Sequence, residues 1–391
     1  MSLIAALESR LAERRAAGLW RERRVVDSAS GVRLTVDGRE VVAFASNDYL
    51  GLAADPVLAA AVVEAVALCG VGAGASHLIS GHHRQHDALE RELAAFAAPC
   101  ADARAVTFST GYLANLAILT TLADRDAAIF GDRLNHACLN DGALLSRAQF
   151  RRYRHGDLDQ LVRELEQSTA RTRVIATDAV FSMDGDLAPL PELLALAERH
   201  DAWLVVDDAH GFGVLGDAGR GSLAHFGLAS ERIVMMGTLG KAAGVAGAFV
   251  AGHPAVVETI VQTARPYVFT TAAPPLLAAA LRRALVAIRD EPQRRERLRA
   301  NVARFRAGCA GLPWPLMDSP TAIQPLVVGG NDEVVALSRR LWERGWWAPA
   351  IRPPTVPAGT ARLRVTLSAA HAAADVDGLV AALAECAREF R

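Results

Sequence analysis

The sequence predicts an α/β protein in which a large, mostly parallel sheet is covered by helices on both faces and a smaller α/β unit follows. Three features point to it. Short, wholly apolar runs recur between longer amphipathic stretches, the mark of strands buried from both sides. Glycines and small polar residues stand directly after those runs, where strand-to-helix loops fall. Around Pro274-Pro275 the rhythm gives way to a long helical stretch and then alternates again. The boundaries drawn from this are an N-terminal helix and hairpin segment over 1–45, a large domain over 46–280 and a small C-terminal domain over 281–391.

In chain order, residues 1–30 read as an amphipathic helix followed by the arginine-rich Arg21-Glu22-Arg23-Arg24. Asp37-Gly38 between two short apolar stretches is a hairpin signal. A helix over 56–68 precedes the glycine-rich Gly70-Val71-Gly72-Ala73-Gly74. Strands over 105–108, 127–130, 174–177, 203–206 and 233–236 then alternate with helices over 111–121, 136–147 and 190–200. The remainder reads as a helical region over 276–306, a strand over 323–328, a helix over 333–344, a strand over 363–367 and a last helix from 373.

Composition narrows the function classes. With 51% hydrophobic and 22% charged residues, the chain is a folded globular protein and not a disordered one. A formal charge of −1 gives no basic field, so nucleic acid is not an expected partner. No apolar run approaches the ~18 residues of a membrane span. The arginine-rich start carries Glu8, Glu13 and Glu22, whereas organellar leaders are poor in acids, so the expected location is cytoplasmic. Five scattered cysteines show no metal or redox spacing and read as reduced, buried small residues.

The chemistry centres on one residue. The chain holds 42 lysines and arginines together, and Lys241 is its only lysine. An ammonium can lose its proton near neutral pH and attack a carbonyl to form a Schiff base, which a guanidinium cannot. Most lysines are merely solvated, but Lys241 follows the apolar run Ile233-Val234-Met235-Met236 and lies among Gly237, Gly240 and Gly244. That is a buried strand ending in a tight loop.

Ligands of parallel sheets bind beyond the carboxyl ends of the strands, so the polar residues after each strand form one constellation. Ser109-Thr110-Gly111-Tyr112 opens a helix whose free backbone N–H groups suit a phosphate, although Ser and Thr are also ordinary caps. His136 stands at the next helix start, either as a cap or as a catalytic group. Asp178, Asp184 and Asp186 follow the third strand, where acids also form turns. Asp207 ends an apolar strand and must be met by a cation or donor there; His210 follows it. A lysine amine, a buried carboxylate and an anion cradle together suit pyridoxal 5′-phosphate, whose ring acts as an electron sink beside an acid.

Gly237-Thr238-Leu239-Gly240-Lys241-Ala242 lacks the first glycine and the metal-binding hydroxyl of a nucleotide P-loop. Gly70–Gly74 lacks the strand and third glycine of a dinucleotide loop. His82 and His86 are one helical turn apart but have no clear third metal ligand in the sequence. Trp342, Trp346 and Trp347 read as packing residues of the small domain.

Asp207-Asp208-Ala209-His210-Gly211-Phe212-Gly213 followed by Gly237-Thr238-Leu239-Gly240-Lys241 resembles the α-oxoamine synthases, which condense an amino acid with an acyl thioester and release carbon dioxide. Ser46-Asn47-Asp48-Tyr49-Leu50-Gly51 and Phe181-Ser182-Met183-Asp184-Gly185-Asp186 belong to the same pattern, and the likeness runs from Arg21 to the last helix. The small residues Ala242 to Ala248 depart from it. The run Ala350 to Arg364, with Arg352-Pro353-Pro354-Thr355-Val356-Pro357, narrows it to the member of the biotin pathway that uses L-alanine and a pimeloyl thioester, carried on coenzyme A or acyl carrier protein. A sister synthase using glycine or serine, or a silent binding protein of the same fold, is the alternative.

The resemblance implies a pyridoxal-phosphate transferase of fold type I with a seven-stranded, mostly parallel sheet, acting as a cytoplasmic homodimer. Lys241 would carry the cofactor, Asp207 would pair with its ring nitrogen, and His136 would stack on the ring and contact substrate. Gly111, Tyr112 and Thr238 would bind the phosphate, and Ser182 and His210 the phenolic oxygen. Arg352 would hold the amino-acid carboxylate, with Arg21 and Thr355 contacting substrate. Thr270 or Thr271 would reach the partner subunit's phosphate.

Overall fold

The alternation of apolar residues fixes the architecture. In the strands Ala127–Asp132, Thr172–Asp178, Ala202–Asp207 and Ile233–Thr238, Phe130, Ile175, Leu204 and Met235 face one apolar layer. Their neighbours Ile129, Val174, Val205 and Val234 face a second. Side chains alternate across a strand, so a sheet with helices on both faces needs apolar residues at every position. The computed structural model, which describes residues 2–17 and 19–389, shows this sheet with seven strands. Their order is Arg104–Phe108, Ala248–Gly252, Ile233–Thr238, Ala202–Asp207, Thr172–Asp178, Ala127–Asp132 and Gln149–Tyr153. The last five run parallel, and Ala248–Gly252 runs antiparallel to both of its neighbours.

Two strands of this sheet escape the sequence reading. Gln149–Tyr153 is an edge strand with arginines at two of its five positions. Ala248–Gly252 has alanine or glycine at three of its five positions and follows a run of small residues, which also suits a loop. The helix read over 136–147 is Ala137–Ser146, because His136 is its cap. The helical region over 276–306 is two helices, Pro275–Asp290 and Pro292–Cys309. Glu291 sits between them at φ −114° and ψ 65°, since a residue preceding proline is excluded from the helical region.

Two smaller sheets complete the molecule. Arg33–Val36 and Arg39–Ala43 form a hairpin whose Asp37 and Gly38 both have positive φ, as a two-residue turn of this kind requires. Trp346–Trp347 adds to that hairpin in parallel, so these tryptophans join the two ends of the chain. Ile323–Gly329, Ala361–Thr366 and Ala350–Ile351 form an antiparallel sheet. Among the described residues no helix is long and apolar enough to cross a membrane.

One ionic clamp ties two loops at the carboxyl edge of the large sheet. His155 places Nδ1 3.1 Å from Asp132 and Nε2 2.8 Å from Asp186. Hydrogen bonds to Asp132 and then to Asp186 raise the imidazole to about 10, against an opposing cost of burial. A raised folded pKa contributes stability that is full below the unfolded value of ~6.5 and fades as pH climbs through the folded one. The difference in melting temperature between wild type and His155→Gln is therefore expected to be largest at pH values just below ~6.5. Thermal scans should show it shrinking as the pH approaches about 10; a constant difference would remove the clamp's ionic role.

Candidate active site

The parallel strands end in a row of polar residues: Asp132, Asp178, Asp207 and Thr238. Register sets Asp178 directly beside Asp207 on the neighbouring strand. Both are buried. Asp178 accepts from the His136 N–H at 2.6 Å, and Asp207 accepts from the Ala209 N–H at 3.0 Å and from Asn115 Nδ2 at 2.7 Å. Burial, and then the charge of Asp207, push Asp178 well above the usual carboxylate range.

Lys241 lies in the loop after Ile233–Thr238 and turns back over these acids. Its Nζ is 3.0 Å from His210 Nε2, and His210 Nδ1 is 2.5 Å from the Tyr49 hydroxyl. Burial lowers the Lys241 amine, Asp207 and Asp178 oppose that shift, and Arg364 adds to it. Burial, followed by the charges of Lys241 and Arg364, holds His210 far below its ordinary value. Burial pushes Tyr49 up to about 12. The row from Tyr49 through His210 to Lys241 can thus pass a proton without carrying a fixed charge on its two rings.

Helix Gly111–Leu122 begins opposite the end of strand Ile233–Thr238. A Cβ on Gly111 would fall 2.7 Å from Thr238 Cγ2, so only glycine leaves a cradle between the helix start and this threonine. Thr110 caps the helix by accepting from Leu113 N–H, and Thr238 Oγ1 donates to the Ala209 carbonyl. Tyr112 is exposed and donates to Asp141 at 2.5 Å. His136 is exposed at the rim, its Nδ1 2.8 Å from Cys138 Sγ. Ser182 presents its carbonyl to Arg364 Nε at 2.6 Å.

The remaining sequence-chosen residues fall into two other places. Arg21, Arg352 and Thr355 share a cleft of about 290 Å³ with Arg14 and Leu19. Thr271 bridges to Ser76 and lines a cavity of about 260 Å³ with Ser109, Leu239 and Gly247; Thr270 precedes it in the chain. Arg352 therefore sits with Arg21, while Arg364 is the guanidinium whose charge reaches both Lys241 and His210.

Three site residues were not singled out by the sequence reading. Arg364 is buried, donates to Asn47 Oδ1, Thr366 Oγ1 and the Ser182 carbonyl, and has no carboxylate bridge among the described residues. Asn115 joins Asp207 to Cys138, 3.0 Å from Cys138 Sγ, and its own Oδ1 is buried without a partner. Tyr49 backs His210. Arg364 alone left a signal, as one of two buried arginines that alternate with apolar residues along strand Ala361–Thr366.

A recessed amine, a fixed carboxylate beside it, and a helix start with a facing hydroxyl fit pyridoxal 5′-phosphate, and together with the fold they define a pyridoxal-phosphate-dependent transferase. The sequence profile of aminotransferase classes I and II matches residues 39–383. The 8-amino-7-oxononanoate synthase of Polaromonas naphthalenivorans is 56% identical over 99% of this chain and 98% of its own. That of Nitrosomonas europaea is 56% identical over 99% and 100%. Among solved structures, Sphingomonas wittichii serine palmitoyltransferase superposes with a TM-score of 0.93 at 30% identity, over 100% of this chain and 99% of that one. The Francisella tularensis 8-amino-7-oxononanoate synthase does so with 0.77 at 30%, over 90% and 99%. The chain belongs to the aminotransferase class I and II family and, within it, to the 8-amino-7-oxononanoate synthases.

Borohydride reduction of the holoenzyme and peptide mapping should find the cofactor fixed to Lys241, and Lys241→Arg should carry no label. Asn115→Ala removes a charge-assisted bond from Asp207, worth about 1.5–3 kcal/mol. We expect kcat to fall roughly 10- to 100-fold while the label at Lys241 still forms. An unchanged kcat would show that Asn115 does not hold the carboxylate.

Proposed function

We propose that the chain joins L-alanine to a pimeloyl thioester, with loss of carbon dioxide and release of the thiol, to give 8-amino-7-oxononanoate. The observation that carries this reading is the presence of two separate guanidinium sites, one of which acts electrostatically on the recessed amine. Arg364 lies beside Lys241, and Arg21 with Arg352 occupies a separate cleft. An amino acid brings one carboxylate, and a pimeloyl group brings another at its far end.

When bound, the cofactor supplies a carbonyl for amines to join and a ring that withdraws electrons from the substrate α-carbon. The chain's own residues do the rest. The Gly111 and Tyr112 backbone N–H groups and Thr238 would hold the phosphate, and Ser182 and His210 would serve the phenolic oxygen. Asp207, positioned by Asn115 and the Ala209 N–H, would face the ring nitrogen. Lys241 takes the α-proton of alanine; its lowered pKa leaves a larger share of free amine than an exposed lysine has. Arg364 holds the α-carboxylate, a role that the resemblance implies for Arg352, and so orients the α-C–H bond. His136, at the rim, covers the ring and assists the return of the proton. Arg21, Arg352 and Thr355 receive the distal end of the acyl group.

We further propose a cytoplasmic homodimer. Helix Leu3–Ala16 buries none of its residues, and Leu3, Ile4, Leu7 and Leu11 are exposed on it. A second copy would cover such a stripe and bring Thr270 or Thr271 near its partner's phosphate. The five unpaired cysteines fit a reducing compartment.

Incubation with L-alanine and pimeloyl thioester should yield the aminoketone by mass spectrometry. Arg364→Ala should raise the KM for alanine roughly 10- to 100-fold, the scale of a lost charged hydrogen bond, and Arg352→Ala should raise that for the thioester. A methyl ester at the distal carboxylate should imitate Arg352→Ala. If Arg352→Ala instead moved only the alanine KM, the two guanidinium roles would be exchanged.

A further inference from the structure

Away from the catalytic acids, the structure completes a histidine cluster that the sequence leaves one ligand short. His82 and His86 flank the start of helix Arg84–Ala97. The π-turn His77–Gly81 folds His77 back onto them. One ligand atom from each of the three lies within 4.8 Å of the others, and His77 Nδ1 is 2.9 Å from His82 Nδ1. His77 is set by stacking on Tyr267, with ring centroids 5.1 Å apart and planes at 12°. The Glu90 carboxylate, fixed by Thr107, stands 4.0 Å from His82 Nε2 and supplies a negative charge on the helix side.

We propose that His77, His82 and His86 form a binding site for a borderline divalent cation of the zinc class, the ion replacing the proton that His77 and His82 share. Imidazole nitrogens suit zinc, nickel and copper, whereas magnesium and calcium require oxygen ligands. Zn–N bonds of ~2.0–2.1 Å at a tetrahedral centre set the ligand nitrogens about 3.3 Å apart. The His77–His82 pair reaches that spacing with a small outward movement. His86 joins at a cost, since its Nε2 now donates to the Ala273 carbonyl at 2.8 Å and its Nδ1 accepts from His83 N–H at 3.0 Å. Coordination therefore exchanges one of these bonds for the ion and couples it to the segment around Thr271–Ala273, whose Ala272 N–H bonds the Ala75 carbonyl. The site shares no residue with Lys241 or the acids around it.

The test uses tag-free holoenzyme, stripped with EDTA, dialysed, and titrated with zinc chloride against a chromophoric chelator. One equivalent per chain should bind, and cobalt(II) should give the visible d–d bands of a tetrahedral nitrogen-ligated ion. His82 is exposed, so His82→Gln should fold with an unchanged cofactor spectrum. It should bind zinc more weakly by at least the ~10–100-fold that loss of an outer-shell partner causes, and lose the cobalt bands. His77→Gln should do the same, while His136→Gln, which alters the histidine–thiol pair at the rim of the active site, should leave zinc affinity intact. The proposal is overturned by zinc binding of equal strength in His82→Gln and His77→Gln, by loss of binding in His136→Gln, or by no stoichiometric binding to wild type.

Discussion

Everything at the carboxyl edge of the large sheet follows from two carboxylates that register forces into adjacency. Asp178 and Asp207 occupy matching positions on neighbouring parallel strands, both buried. Like charges so placed repel, and burial removes the water that would screen them. Backbone N–H groups, Asn115 and the amine of Lys241 share the task of meeting that charge. Each needs a particular loop path after its strand, which is why so many short loops here are glycine-rich or begin a helix. The sheet sets where the acids lie, and the loops bring the cations to them.

The fold was legible where burial is two-sided. Strands such as Val174 to Thr177 and Trp203 to Val206 stand out because both faces are almost wholly apolar. The same logic hides Gln149–Tyr153, which lies at the sheet edge and keeps its arginines. The candidate site was legible where a polar residue ends an apolar run, as at Asp207 and Thr238. It was illegible where a residue acts from a helix interior or from a distant strand. Asn115 is one of several small or amide residues on its helix, and only the packing of that helix on the sheet brings it to Asp207. His77 belongs to the same class, since nothing local predicts that a π-turn will bring it back upon His82 and His86.

The charge balance around Lys241 explains why the chain can place its one lysine there and use arginine elsewhere. An arginine at that position would stay protonated whatever its neighbours, so no balance of burial and charge could free its nitrogen. Lysine responds: burial and Arg364 lower it, and Asp207 and Asp178 restrain the fall. Arg364, with no carboxylate bridge of its own among the described residues, is the adjustable member of that set. A carboxylate arriving at Arg364 cancels a charge that depresses both Lys241 and His210. The amine then becomes more basic at the moment when an α-proton is within its reach. Before that moment it is a better nucleophile, because a larger share of it is unprotonated. In the proposed reaction, one buried guanidinium would thus let a single amine serve first to join a carbonyl and later to take a proton, in an order set by the substrate's own charge.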